Sequence, residues 1–242
     1  MELLEDLKNF IIPGRTMLNT VLVSQILKRL TFRWSPYLLV ALLILSINNA
    51  QSAGYRPALF GSQETPSTKI SLFPKWQGTL ERYFKEKDLP DQPCESSIFS
   101  RCHLQEWSEF LDEIRNKSRL QQIHAVNTEM NRTRYIVDPR NYGVPDYWAT
   151  PKQFLRRDGD CEDYAISKYL SLRALGVPAS NLRILVLQDL NLRLAHAVLI
   201  VYHKGRALLL DNQIKHVVDT RKVHHYKPIY SINEQFWWLH RS

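Results

Sequence analysis

Cys161 has the strongest chemical setting in this sequence. It stands in Asp-Gly-Asp-Cys-Glu-Asp (158–163), whereas a structural cysteine sits among apolar neighbours. The apolar spacing that follows predicts a helix from Asp160 to Leu175. Asp160 serves as N-cap and Asp163, three residues on, supplies the other half of a capping box. Gly176 and Pro178 close the helix in the expected order. Cys161 therefore falls in the first turn, where unpaired N–H groups and the helix dipole favour a thiolate. A thiolate there is a nucleophile for acyl transfer.

Such a nucleophile wants a histidine base and a group that orients the base. Of the eight histidines, seven lie in polar or poorly patterned surroundings. His196 instead opens the apolar run AVLIVY and shares a strand face with Val198, Ile200 and Tyr202. If Lys204-Gly205 is a two-residue turn, His203 faces Arg206. Counting back, Val198 then faces Asp211 and His196 faces Gln213. Asp211 thus lies on the face of His196, one diagonal step away, where backbones are about 7–8 Å apart and side chains meet. It ends the apolar run ALLLD, where a carboxylate is costly unless partnered. The alternative is a strand-end aspartate that enters a turn with Asn212.

Asp158, Asp160, Glu162 and Asp163 crowd the thiol with negative charge. That raises a cysteine's pKa, against the helix dipole. A bound divalent cation removes the conflict, and hard oxygen ligands select calcium over zinc. The spacing is not that of an EF-hand. The alternative is a solvated acidic helix start with ordinary capping, and the capping box competes for Asp163.

These residues need elements to hold them. Helical spacing covers 76–88 and 104–127, the latter through Trp107, Phe110, Leu111, Ile114, Ile123 and Val126. The aromatic, Pro- and Gly-containing stretch 133–150 reads as a structured loop that flanks the cleft, with Tyr147 and Trp148 lining a groove or packing in the core. Strands are expected at Leu182–Gln188, Ala195–Tyr202 and Arg206–Asn212, the last two joined by a hairpin turn. Helices followed by antiparallel strands make an α+β domain.

The order of cysteine at a helix start, histidine on a strand and aspartate on the next strand resembles the transglutaminase-like papain superfamily. Within it, the chain resembles the bacterial transglutaminase-like cysteine proteinases, the LapG-type periplasmic proteases. The motifs are DYWATP (146–151), GDCEDYAISKY (159–169), LRALGVP (172–178), AHAVL (195–199) and LLLDN (208–212), spread over roughly residues 75–240. Ala197 departs from the pattern, which has methionine after the histidine. The resemblance implies a papain-like core with N-terminal helices packed on an antiparallel sheet. It implies Cys161 as nucleophile, His196 as general base and acid, and Asp211 as orienting carboxylate. It also implies calcium at the acidic flank, with Asp160 and Glu162 as ligands, and Asp163 is the further candidate. The implied substrate is the N-terminal region of a large surface adhesin, cut to release it and control biofilm attachment. The implied regulator is an inner-membrane cyclic-di-GMP receptor whose periplasmic domain sequesters the protease. Transglutaminase chemistry, with an amine as acceptor, shares the same triad. A non-catalytic binding module of the same fold is a third reading, and an intact Cys161, His196 and Asp211 argues against it.

The 242 residues suit one globular domain, and 44% hydrophobic with 23% charged residues excludes wholesale disorder and collagen-like or coiled-coil architectures. Three cysteines are too few for a disulfide scaffold. The net charge of +8 comes without a basic run long enough for a nucleic-acid arm. Tyr37 to Ile47 (YLLVALLILSI) is preceded by Lys28, Arg29 and Arg33 and followed by Ala50, Ser52 and Ala53. That is the order of an export signal, too short for a spanning helix. Residues 1–53 are therefore expected as an export signal region, with Met17 an alternative start and an uncleaved anchor the alternative fate. Residues 54–75 read as a linker or extended lead-in, and 76–242 as the protease domain. Export places the domain in the periplasm, with no stable membrane insertion after cleavage. In that oxidising space Cys94 and Cys102 can pair, leaving Cys161 as a reactive thiol or an intermolecular link.

Overall fold

A computed structural model of the chain describes residues 56–87 and 103–241. The export segment and the Cys94–Cys102 pair lie outside the described residues. Among those described, no helix is long and apolar enough to cross a membrane.

The helices are α1 (Pro74–Lys87), α2 (His103–Ile114), α3 (Arg119–Met130), the single turn α4 (Asp138–Asn141), α5 (Pro151–Arg157) and α6 (Cys161–Ala174). The strands are β1 (Gln63–Ser67), β2 (Leu182–Asp189), β3 (Leu194–His203), β4 (Arg206–Leu210), β5 (Val218–Asp219), β6 (Tyr226–Ile232) and β7 (Trp237–Arg241). They form one antiparallel sheet in the order β1-β7-β6-β2-β3-β4-β5. The architecture is α+β.

Strand alternation divides the core. Leu199, Val201, Leu208 and Leu210 join the helical core of Trp76, Tyr169 and their neighbours. Val198, Ile200, Leu209 and Tyr226 form a second cluster. α6 is buried on every side from Asp163 to Leu172. A helix without a solvent face carries its polar residues inward, and Ser167, Lys168 and Ser171 are all buried.

Three expectations change. The stretch 104–127 is two helices, because Ser118 starts α3 with a capping box to Gln121. Residues 54–75 contain β1, which pairs along its length with β7, so the sheet begins ahead of residue 76. The loop 133–150 includes the turn α4, and its last residue, Thr150, caps α5 with Gln153. The β3–β4 hairpin has the expected register, from His203 opposite Arg206 to Leu199 opposite Leu210. Its turn places Lys204 at φ 49° and Gly205 at φ 72°. Both central residues are left-handed, as a tight turn matched to strand twist requires.

Candidate active site

α6 begins at Cys161, with Asp160 as its N-cap. Asp163 spends both carboxylate oxygens on backbone: Oδ2 accepts from Asp160 N (3.3 Å) and Oδ1 from Ala149 N (2.7 Å). One side chain thus closes the helix start and ties it to the segment that enters α5. Gly159 makes this possible, since a Cβ there would lie 2.2 Å from Asp163 Oδ2. The Gly159 carbonyl accepts from Ile136 N (2.9 Å), drawing the 133–148 loop alongside the thiol.

Cys161 is the free cysteine of the described residues and is partly exposed. β3 runs beyond the end of its pairing with β4 at Leu199. There the Ala197 backbone N–H favours the Cys161 thiolate. This influence is main-chain, so alanine in place of methionine at 197 leaves it intact. The Cys161 thiol also donates to Glu162 Oε2 (3.2 Å). Burial, then the Glu162 and Asp160 carboxylates, push the thiol's pKa well up. The helix start alone does not yield a thiolate.

His196 and Asp211 are 3% and 1% exposed, and His196 Nε2 lies 2.9 Å from Asp211 Oδ1. The two side chains meet as expected, although β4 ends at Leu210 and its pairing with β3 stops at Leu199 opposite Leu210, short of the expected Asn212. A carboxylate at Nε2 holds the proton there and leaves Nδ1 as the basic nitrogen. Gln213 Nε2 lies 3.5 Å from that Nδ1. Asp211 Oδ1 also accepts from Gln213 N (2.8 Å), Oδ2 from the Tyr226 hydroxyl (2.6 Å), and its carbonyl from Asn131 Nδ2 (2.7 Å). Burial alone would raise the Asp211 pKa, but the bonds from His196, Tyr226 and Gln213 outweigh it and hold the carboxyl below its ordinary range. Tyr226 also sets its ring 5.9 Å from the His196 ring.

The acidic flank is larger than the local sequence indicated. Asp138, Asp160 and Asp163 bring oxygens within 4.8 Å of one another, as do Asp138, Asp146 and Glu162. Asp158 turns away to an ion pair with Arg134 (3.2 Å). Asp138 Oδ2 accepts from Tyr147 N (2.5 Å) and Asp160 Oδ2 from Asp138 N (3.3 Å). The second oxygens of Asp138 and Asp160 are buried with no donor. Burial and mutual repulsion push Asp138 up to about 6 and Glu162 up to about 10. A carboxylate cluster with two buried oxygens left without donors suits a hard divalent cation. Asp138 and Asp146 were missed in the sequence because they are distant in sequence from the cysteine motif.

A thiol at a helix start, with a histidine on a strand of the sheet bonded to an aspartate just past the next strand, defines a thiol acyl-transfer centre on a transglutaminase-like scaffold. Residues 94–240 match the model of the bacterial transglutaminase-like cysteine proteinases, and the chain belongs to that family. Among solved structures, calcium-bound LapG from Legionella pneumophila is 32% identical, with 66% of this chain and 87% of that one covered and a TM-score of 0.54. Another structure of Legionella pneumophila LapG is 36% identical over 55% of this chain and 76% of that one, with a TM-score of 0.51. No curated protein sequence matches the chain. The protein is thus a cysteine peptidase by family.

Proposed function

We propose that the chain is a periplasmic, calcium-dependent cysteine endopeptidase acting through Cys161, His196 and Asp211. The observation that carries this reading is the buried His196–Asp211 hydrogen bond, with the backbone N–H of the next residue, Ala197, favouring the Cys161 thiolate. His196 Nδ1 takes the thiol proton, and the thiolate attacks a peptide carbonyl carbon. The imidazolium, held by Asp211, returns the proton to the leaving amine. Water, with its proton taken by His196, then cleaves the thioester and frees the thiol.

Asp138, Asp160 and Glu162 are the side chains suited to hold calcium, with Asp146 at the edge and Asp163 committed to backbone. A cation held there supplies the positive charge that the carboxylates beside the thiol lack. The likeness to a calcium-bound LapG supports this assignment. The sequence resemblance supports the rest. The substrate is the N-terminal region of a large surface adhesin, whose release controls biofilm attachment. An inner-membrane cyclic-di-GMP receptor holds the enzyme inactive through its periplasmic domain.

The test is incubation of the domain with adhesin N-terminal regions, with calcium or with EGTA, followed by mass spectrometry of the products. New peptide termini in calcium, absent in EGTA, are expected. Crosslinked peptides would replace hydrolysis with acyl transfer to an amine. No reaction on any adhesin segment would overturn the substrate assignment.

A further inference from the structure

Asp158 closes α5 at φ 66° and ψ −171°. Essentially only glycine occupies that region readily, and a residue with a side chain persists there only where its surroundings hold it. Glycine at 158 would remove the strain. The aspartate therefore needs another reason.

Its side chain supplies one. Oδ1 accepts from Arg134 N (3.2 Å), and Oδ2 pairs with the Arg134 guanidinium (3.2 Å). The guanidinium belongs to an exposed side chain, so the main-chain bond matters more than the ion pair. The Asp158 carbonyl accepts from Asn141 Nδ2 (3.1 Å). One residue on, Gly159 and Tyr135 form a parallel bridge, and the Gly159 carbonyl accepts from Ile136 N (2.9 Å). Residues 134–136 are thus laid along 158–159, and Asn141 ties down the far end of the same segment. Between those ends stands Asp138, whose N–H donates to Asp160 Oδ2 (3.3 Å). Asp138 is 1% exposed, and one oxygen each of Asp138 and Asp160 is buried with no donor. Asp158 itself is outside the carboxylates that converge there. Two carboxylates repel, so a contact beyond the pair must hold them together.

We propose that Asp158 is a positioning residue for the cation site. It clamps the 134–141 segment to the start of α6 and so sets Asp138 beside Asp160 before a cation arrives. The strained backbone at 158 is what placing a side-chain acceptor at that point requires. A site ordered in advance loses less on binding, so the clamp tightens calcium binding without touching the ion. The inference rests on the calcium reading proposed above.

The test is calorimetric titration of calcium into the full chain and two variants. Asp158→Gly relieves the backbone and removes the acceptor. Asp158→Asn removes the same charge but keeps an oxygen for the Arg134 N–H, so the difference between the two isolates the clamp. Asp158→Gly should raise the calcium Kd about tenfold or more, and Asp158→Asn should stay close to wild type. Thermal unfolding in EGTA is the control, and Asp158→Gly should unfold no earlier than wild type because glycine takes this backbone without strain. Affinity lost while stability is kept is not what a merely structural residue gives. An unchanged Kd in Asp158→Gly, an equal loss in both variants, or a midpoint that falls together with the affinity overturns the proposal. A wild-type chain that binds no calcium rejects the calcium reading itself, and the proposal with it.

Discussion

At the residue scale, three groups carry the proposed chemistry and others hold them in place. Cys161→Ala should abolish cleavage and keep the fold, and Cys161→Ser should be nearly inactive, because a hydroxyl is not deprotonated by the same surroundings. Asp211→Asn should lower kcat by a factor on the order of 10²–10⁴ with KM little changed, because His196 loses its working tautomer. Tyr226→Phe keeps the ring against His196 and removes only the donor to Asp211. Loss of one charge-assisted bond should cost about tenfold in kcat, read from steady-state kinetics on a peptide substrate. An unchanged kcat would leave Tyr226 as packing. Placement of His196 beside Asp211 was legible in the sequence because a two-residue turn fixes the register of everything it joins. Tyr226 was not, since β6 reaches the site across β2 and no local spacing links it to the hairpin. Asp138 was hidden in the same way, 22 positions ahead of Asp160.

At the scale of elements, the junction between α5 and α6 is the part most sensitive to a single methyl group. Gly159→Ala sets a Cβ 2.2 Å from Asp163 Oδ2 and 2.8 Å from its Cβ. The Asp163 bonds to Ala149 and Asp160 must then break. Thermal denaturation should show a loss of about 2–3 kcal/mol, and the calcium response should weaken as the helix start loosens. A stability within experimental error of wild type would mean that Asp163 is free to shift. The start of α6 was legible because cap and stop residues bracket it. The gap between α2 and α3 was not, because apolar spacing continues through Asn116-Lys117-Ser118 with neither Gly nor Pro. The signal available there was Ser118 with Gln121. β1 was illegible for a different reason. Gln63–Ser67 contains Pro66 and no apolar alternation, which an edge strand paired on one side tolerates.

For the whole molecule, the raised and lowered carboxylates make stability depend on pH. Asp138 is raised to about 6 and Glu162 to about 10. A raised carboxylate contributes stability that is full below the ordinary carboxylate pKa and is lost as pH rises through the folded value. Metal-free protein should therefore lose stability from about pH 4 upward, with the Asp138 part gone past about 6. Asp211 has the opposite sign. Its lowered pKa gives stability above the ordinary carboxylate value that is lost as pH falls through the folded one. If calcium binds the ionised cluster, as proposed, the gain in Tm from calcium over EGTA should grow between pH 5 and pH 7. At about 100 times Kd the gain corresponds to about 2.7 kcal/mol. A calorimetric series in which calcium adds no more at pH 7 than at pH 5 would contradict a metal role for the cluster.

Hydrolysis should pass through a thioester between Cys161 and the substrate. Acid quenching during turnover of an adhesin segment in calcium, followed by intact-mass and peptide mapping, tests it directly. A substrate fragment attached to Cys161 is expected, accumulating early and absent in Cys161→Ala. Cleavage that proceeds with no adduct at Cys161, or that continues undiminished in Cys161→Ala, would contradict it.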